Sequence, residues 1–148
     1  MTSIGFLTIH EIPQLFSLEG LNNIATIGML EIRNNENLLN LDELQNLTSL
    51  TRLVLEGNNS LNSLNGLNNV TQINDVMDIF QNNALTNLDA LSSLNSVNDL
   101  SIILNSTLDD FCGLENLING GGILGNYNVS ANPYNPTQQD IIDGNCSL

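Results

Sequence analysis

The sequence of 148 residues predicts a mainly β fold, a right-handed solenoid of about six coils with a parallel sheet on one face and little helix. The main observation is a pattern that returns along the chain. It starts with three residues of which the first and third are apolar, continues with an asparagine, and then places apolar residues at every third position. It begins at Leu30, Leu53, Met77 and Leu100, so each coil has 23–24 residues. A fixed period of this length indicates stacked coils, because one coil cannot bury its apolar side chains alone.

Two spacings within each coil predict its secondary structure. Leu30 and Ile32 alternate with outward positions, and this period of two is typical of a short strand. The apolar residues that follow, such as those from Leu38 to Leu50, recur at every third position, whereas a helix needs about 3.6 residues per turn. A period of three suits short 3₁₀ turns or extended segments. With the length of the coil, these spacings are typical of a leucine-rich-repeat solenoid.

An asparagine follows the strand in five coils. Its side chain has both a donor and an acceptor, so an inward asparagine can pair with backbone groups that would otherwise be buried without a partner. Ordinary turn asparagines would not keep a fixed register. In the first coil Ile12 and Pro13 take this place instead. The sequence therefore predicts a ladder of stacked asparagines, which comprises Asn35, Asn58, Asn82, Asn105 and Asn132.

The chain starts within a coil. Residues 4–9 match residues 27–32, which places Met1 in the last part of a coil. We therefore expect further coils before Met1, and a single domain over the whole chain, with coils in 1–122 and a capping segment in 123–148. The open edge of the first strand could pair with another chain. A monomer, or a weak dimer through this edge, is expected.

The capping segment contains a predicted helix. Residues 136–144 begin with a proline and end with a glycine, as helices commonly do, and Asn135 is the predicted N-cap. A terminal coil needs a cover over its open core. We expect Ile141 and Ile142 to face inward and supply that contact.

The two cysteines, Cys112 and Cys146, lie in the last full coil and just after the predicted helix. A disulfide between them would close a loop of about 35 residues and stabilise the cap by roughly 3–4 kcal/mol. Two free buried thiols or a metal pair are the alternatives. The single histidine is far away in the sequence, which makes a poor metal site. We favour the disulfide, which implies an oxidising compartment.

The composition argues against several classes of function. The chain has 16 acidic residues, two arginines and no lysine, for a net charge of −14. Nucleic acid and anionic lipid both bind through Lys and Arg, so neither is an expected partner. An apolar run of about 18 residues, as a membrane span needs, is absent, so no membrane insertion is expected. The sequence lacks nucleophile, phosphate-loop, zinc and calcium-loop motifs, so we expect no enzyme, no cofactor and no metal site.

The outward side chains of the predicted sheet are the candidate binding site. Both arginines lie on this face near glutamates, so a ladder of ion pairs is plausible, although exposed pairs contribute only about 0–1 kcal/mol each. Apolar and aromatic side chains beside arginine are typical of a partner-binding patch. A few exposed apolar residues are also normal on any surface. The candidates are Glu31, Arg33, Arg52, Val54, Glu56, Val76, Asp78, Phe80 and Ile103.

The C-terminal tail carries a resemblance to a known group. Residues 111–114 (Phe-Cys-Gly-Leu), 125–129 (Gly-Asn-Tyr-Asn-Val) and 134–141 (Tyr-Asn-Pro-Thr-Gln-Gln-Asp-Ile) resemble the closing segment of the secreted leucine-rich-repeat proteins of marine and gut Bacteroidetes, which are also similar to receptor L domains. The coil pattern extends the resemblance over essentially the whole chain. The resemblance implies export or surface attachment and a role in adhesion or ligand binding, and it supplies no catalytic motif.

We therefore expect an extracellular or cell-surface binding or adhesion module whose sheet face recognises an unknown protein or glycan. The alternative is a structural spacer within a larger surface protein, with no ligand of its own. The two differ in whether the outward columns of the sheet contain a patch on which binding depends.

Overall fold

The computed structural model describes residues 2–148, so the prediction that Met1 lies in the last part of a coil falls outside the described residues. Residues 2–148 contain six strands and two short helices, together with three single 3₁₀ turns at Asp42–Leu44, Asp89–Leu91 and Cys112–Leu114. The strands are β1 (Thr2–His10), β2 (Ile24–Arg33), β3 (Ser49–Glu56), β4 (Gln72–Phe80), β5 (Ser96–Ile103) and β6 (Tyr127–Ser130), and the helices are α1 (Glu115–Asn119) and α2 (Gln138–Ile142).

All six strands lie in one parallel sheet, in the order in which they occur along the chain. Each crossover therefore returns the chain to the neighbouring position, and the arrangement is solenoid-like. Matching asparagines of successive crossovers are 23, 24, 23 and 27 residues apart. The mainly β fold with a parallel sheet and little helix is confirmed.

The longer spacing between β3 and β4 has a local cause. Leu50 aligns with Ile73 and Leu53 aligns with Met77, so β4 holds one more residue than β3 over this stretch. The register shifts again between β4 and β5, which shows that the extra residue belongs to β4. Such a bulge bends the strand and re-aims the side chains beside it.

The core lies between the sheet and the crossover segments. Residues at every third position of the crossovers are buried, as Leu38, Leu41 and Leu44 show with exposed fractions of 0%. The 3₁₀ turns at three crossovers are the local structure that the period of three predicts. Within residues 2–148 no helix is long and apolar enough to cross a membrane.

The asparagine ladder runs along the edge of the core where the strands end. Each side-chain oxygen accepts a hydrogen bond from the backbone N–H of the preceding ladder residue, at 3.0 Å between Asn35 and Asn58 and 2.9 Å between Asn82 and Asn105. At its start, Asn35 accepts from the N–H of Ile12 at 3.0 Å. The amide groups donate to strand carbonyls, as Asn58 does to Ile32 at 2.9 Å. Buried backbone groups at the turn are thereby paired.

The residue before each ladder position adopts a left-handed backbone conformation, which turns the chain out of the sheet. We call these residues the turn row. In the first five, the N–H donates to the last carbonyl of the next strand, as Asn34 does to Glu56 at 2.8 Å. The turn row consists of Glu11, Asn34, Gly57, Gln81, Leu104 and Ala131, with φ between 52° and 67°.

The C-terminal helix is shorter than predicted and has a different cap. α2 begins after Thr137, whose hydroxyl accepts from the N–H of Asp140 at 3.1 Å while the Asp140 carboxylate accepts from the N–H of Thr137 at 2.8 Å. The prediction of Asn135 as N-cap is wrong, because its side-chain oxygen instead accepts from the N–H of Asn132 and extends the ladder. Ile141 is buried as predicted, but Ile142 is 49% exposed.

A disulfide joins Cys112 to Cys146 and ties the chain end to the last crossover. Two tyrosines hold the same region through their hydroxyls, which donate to backbone carbonyls of Pro136 (from Tyr127, 2.7 Å) and Asn145 (from Tyr134, 2.6 Å). Burial, together with nearby Asp140, raises the pKa of Tyr127 above its usual value. This hydroxyl therefore stays protonated and remains a donor at neutral pH.

Candidate binding surface

The outward side chains of the sheet form three columns, because the strand register places equivalent residues side by side. Phe6, Met29 and Arg52 begin the first column, Val76 of β4 and Asp99 of β5 follow, and Asn126, directly before β6, ends it. The second column contains Thr8, Glu31, Val54, Asp78, Ser101 and Asn128. The third contains His10, Arg33, Glu56, Phe80, Ile103 and Ser130. We call this surface the sheet face.

Arg33 is paired with two glutamates. Its Nε lies 3.5 Å from a carboxylate oxygen of Glu31, and its Nη1 contacts the carboxylate of Glu56 on the neighbouring strand. The three side chains are about one-fifth to one-third exposed. This cluster fixes the guanidinium on the sheet face and leaves one net negative charge around it.

Arg52 behaves differently from Arg33. Within residues 2–148 it forms no ion pair, and its Nε is buried without a hydrogen-bond partner. Its position adjoins the bulge of β4, where the register between Leu50 and Leu53 is interrupted. The predicted ladder of ion pairs is therefore wrong for Arg52 and holds only around Arg33.

The apolar candidates separate into a buried residue and a partly exposed group. Val54 is only 1% exposed, so the prediction that it lies on a solvated surface is wrong. Polar side chains surround it on the sheet face, with Glu31 and Asp78 beside it in the same column. Phe80 and Ile103 are register partners on adjacent strands, and both are partly exposed. Val76, two residues before Asp78 on the same strand, is also partly exposed.

An open groove of about 410 Å³ lies just beyond the strand ends and adjoins the sheet face. Four successive residues of the turn row line it, Glu11, Asn34, Gly57 and Gln81. The crossover residues Glu36, Asn37 and Asn59 form more of its wall. We call this cavity the strand-end groove. The sequence alone did not predict it, although the polar residues Glu11, Asn34 and Gln81, each directly after a strand, were a signal.

The single histidine lies where the sheet face meets the strand-end groove. His10 Nε2 is 3.4 Å from a carboxylate oxygen of Glu11 and 3.4 Å from the amide nitrogen of Asn34. His10 and Glu11 are both well exposed. In the described part of the chain, one group of three side chains has metal-ligating atoms close together, Cys112, Glu115 and Cys146, and the disulfide uses both of its sulfurs.

The chain was compared with protein-family models, with curated proteins and with solved structures. None of the three comparisons gave a match.

Proposed function

We propose that the chain is a leucine-rich-repeat solenoid that acts as an extracellular or cell-surface binding module, and that its sheet face holds a protein or glycan. The coil length, the period of three in the crossovers and the asparagine ladder support the repeat assignment. The disulfide supports export, because disulfides persist in oxidising compartments.

The observation that carries the binding role is one cluster on the sheet face. The Phe80 ring and the Ile103 side chain lie side by side and partly exposed, and Phe80 is also the register partner of Glu56, which holds Arg33. Phe80 and the fixed Arg33 lie on either side of Glu56 in the same column, so one surface provides both apolar contact area and directed donors. Such groups dominate the binding energy of many interfaces.

A binding screen tests this role. The wild-type protein, Phe80→Ala and Arg33→Ala are applied to an array of immobilised oligosaccharides and extracellular matrix proteins. We expect both variants to lower the affinity for the captured probe by at least about tenfold, because each removes a central contact.

Ser93→Ala is the matched control. Ser93 is exposed, lies outside the strands and makes no side-chain hydrogen bond within residues 2–148. Circular dichroism and thermal melting verify that each variant is folded. Affinities that stay unchanged in both folded sheet-face variants would contradict this site and favour the spacer role.

A further inference from the structure

The strand-end groove crosses the strands, because it is built from the residues that follow four neighbouring strands. Glu11, Asn34, Gly57 and Gln81 follow β1, β2, β3 and β4. Adjacent strands are about 4.7–4.9 Å apart, so these four positions span roughly 14 Å. A groove of this length and shape suits an extended chain molecule lying across the strand ends.

Gly57 leaves room for the Asn34 side chain in the groove. The turn row has five other members that adopt the same left-handed φ without being glycine, so the backbone conformation does not by itself require glycine here. A Cβ atom at Gly57 would overlap the side-chain oxygen of Asn34. Because this oxygen is the end of a side chain, an alanine at position 57 would displace Asn34, which also lines the groove.

The groove walls have unused hydrogen-bonding capacity. Within residues 2–148, the Glu36 carboxylate and the Gln81 amide make no side-chain hydrogen bond, and Asn59 uses only its oxygen, as acceptor from Asn83. Carboxylates accept, and amides both donate and accept. Such a mixture is complementary to hydroxyl groups, each of which is a donor and an acceptor at the same time.

The aromatic residue Phe80 is the last residue of β4, the strand that leads into the groove at Gln81. Phe80 directly precedes Gln81, and its carbonyl accepts from the N–H of Gly57 at 3.0 Å. A ring face carries negative charge density, which attracts the weakly positive C–H groups of a sugar ring. We propose that the strand-end groove binds a neutral oligosaccharide, with Gln81 and Glu36 pairing with its hydroxyls and Phe80 contacting a ring. This inference rests on the proposed function and names its ligand class.

The charge of the chain favours a neutral glycan over an anionic one. The net charge is −14, and the groove contains two carboxylates, Glu11 and Glu36. Sulfated or uronic-acid chains would meet repulsion from this field. A basic peptide would be attracted by it, so peptides belong in the test as a competing ligand.

The test uses an array of neutral oligosaccharides, sulfated oligosaccharides and oligo-lysine peptides. The variants are Gly57→Ala, which displaces the Asn34 side chain in the groove, and Gln81→Ala, which removes one exposed amide. Leu104→Ala is the matched control, because Leu104 belongs to the turn row but lies outside the groove. We expect wild type to bind a neutral oligosaccharide, both groove variants to lower that affinity by at least about tenfold, and the control to retain it.

Three results would overturn the inference. In the first, Phe80→Ala abolishes neutral-glycan binding but both groove variants retain it. This result would place the glycan on the sheet face and leave the proposed function intact. Another is binding confined to oligo-lysine or to sulfated chains. The third is the absence of any neutral-glycan binding by wild type, while protein capture still depends on Phe80 and Arg33. Circular dichroism verifies the fold of Gly57→Ala, and the exposed Gln81→Ala keeps the test decisive if that variant unfolds.

Discussion

The strands β1 and β5 of the sheet contain similar apolar patterns but have different surroundings. On β1 the inward residues Ile4, Leu7 and Ile9 are only partly buried, and Phe6 is 76% exposed. On β5 the equivalent residues, such as Leu100 and Ile102, have exposed fractions of 1% or less. The comparison shows that inward periodicity alone does not bury a side chain, because each layer also needs a neighbour on both sides.

Several contacts close the C-terminal end of the sheet. There the disulfide, the buried Ile141 of α2 and an edge-to-face contact between Phe111 and Tyr134, whose ring centroids are 6.2 Å apart, cover the last layer. Within residues 2–148, β1 pairs with β2 alone, and its outer edge is open. A weak dimer through this edge stays a prediction. Stability should therefore be distributed unequally between the two ends of the sheet.

The largest expected effect concerns the disulfide. Replacing both Cys112 and Cys146 by serine should lower the free energy of unfolding by about 3–4 kcal/mol. The disulfide joins residues 34 positions apart in the sequence, and it restricts the loop between them in the unfolded chain. Urea denaturation measures the loss. Hydrogen exchange should show lost protection in β6 and α2 before β2 and β3. Wild type under reducing conditions is the control, and an equal loss of protection in all strands would contradict a locally acting cap.

A smaller effect compares an interior position of the ladder with its first position through the same substitution. Asn105→Ala leaves the buried N–H of Asn82 without an acceptor and should lower the free energy of unfolding by about 1–3 kcal/mol. Asn35→Ala frees the N–H of Ile12, a residue that is 44% exposed, so water can replace the lost acceptor. Its cost should be clearly lower in the same urea titration. Equal costs would show that the open end is as well ordered as the middle of the sheet.

The sequence predicted the features that depend on strand register. It did not predict burial, capping or a groove where these depend on neighbouring side chains. The ladder residues were predictable because each needs an inward amide at one fixed position. Val54 was misplaced because its burial depends on side chains from three strands. Asn135 and Thr137 are both residue types that suit an N-cap. Because Asn135 pairs with the ladder, Thr137 is the N-cap of α2. The strand-end groove was missed because its walls come from four separate crossovers.

The smallest expected effect concerns the capping box of α2 and its dependence on pH. Thr137→Ala should lower the free energy of unfolding by about 1 kcal/mol at neutral pH. Two hydrogen bonds from Thr137, through its hydroxyl and its N–H, hold the pKa of the Asp140 carboxyl below its usual value of 3.8. A lowered pKa in the folded state stabilises the protein above the unfolded value, and this contribution is lost as pH falls through the folded value.

The difference in stability between wild type and Thr137→Ala should therefore be constant near neutral pH and shrink below about pH 4. Asp99, whose pKa is also lowered by hydrogen bonds from Asn126, is present in both proteins and drops out of the difference. Thr48→Ala, at an exposed threonine outside the strands and helices, controls for the substitution itself. Urea titrations at several pH values measure the difference. A difference that persists unchanged to pH 2 would mean that the Thr137 hydroxyl caps α2 without the Asp140 carboxylate.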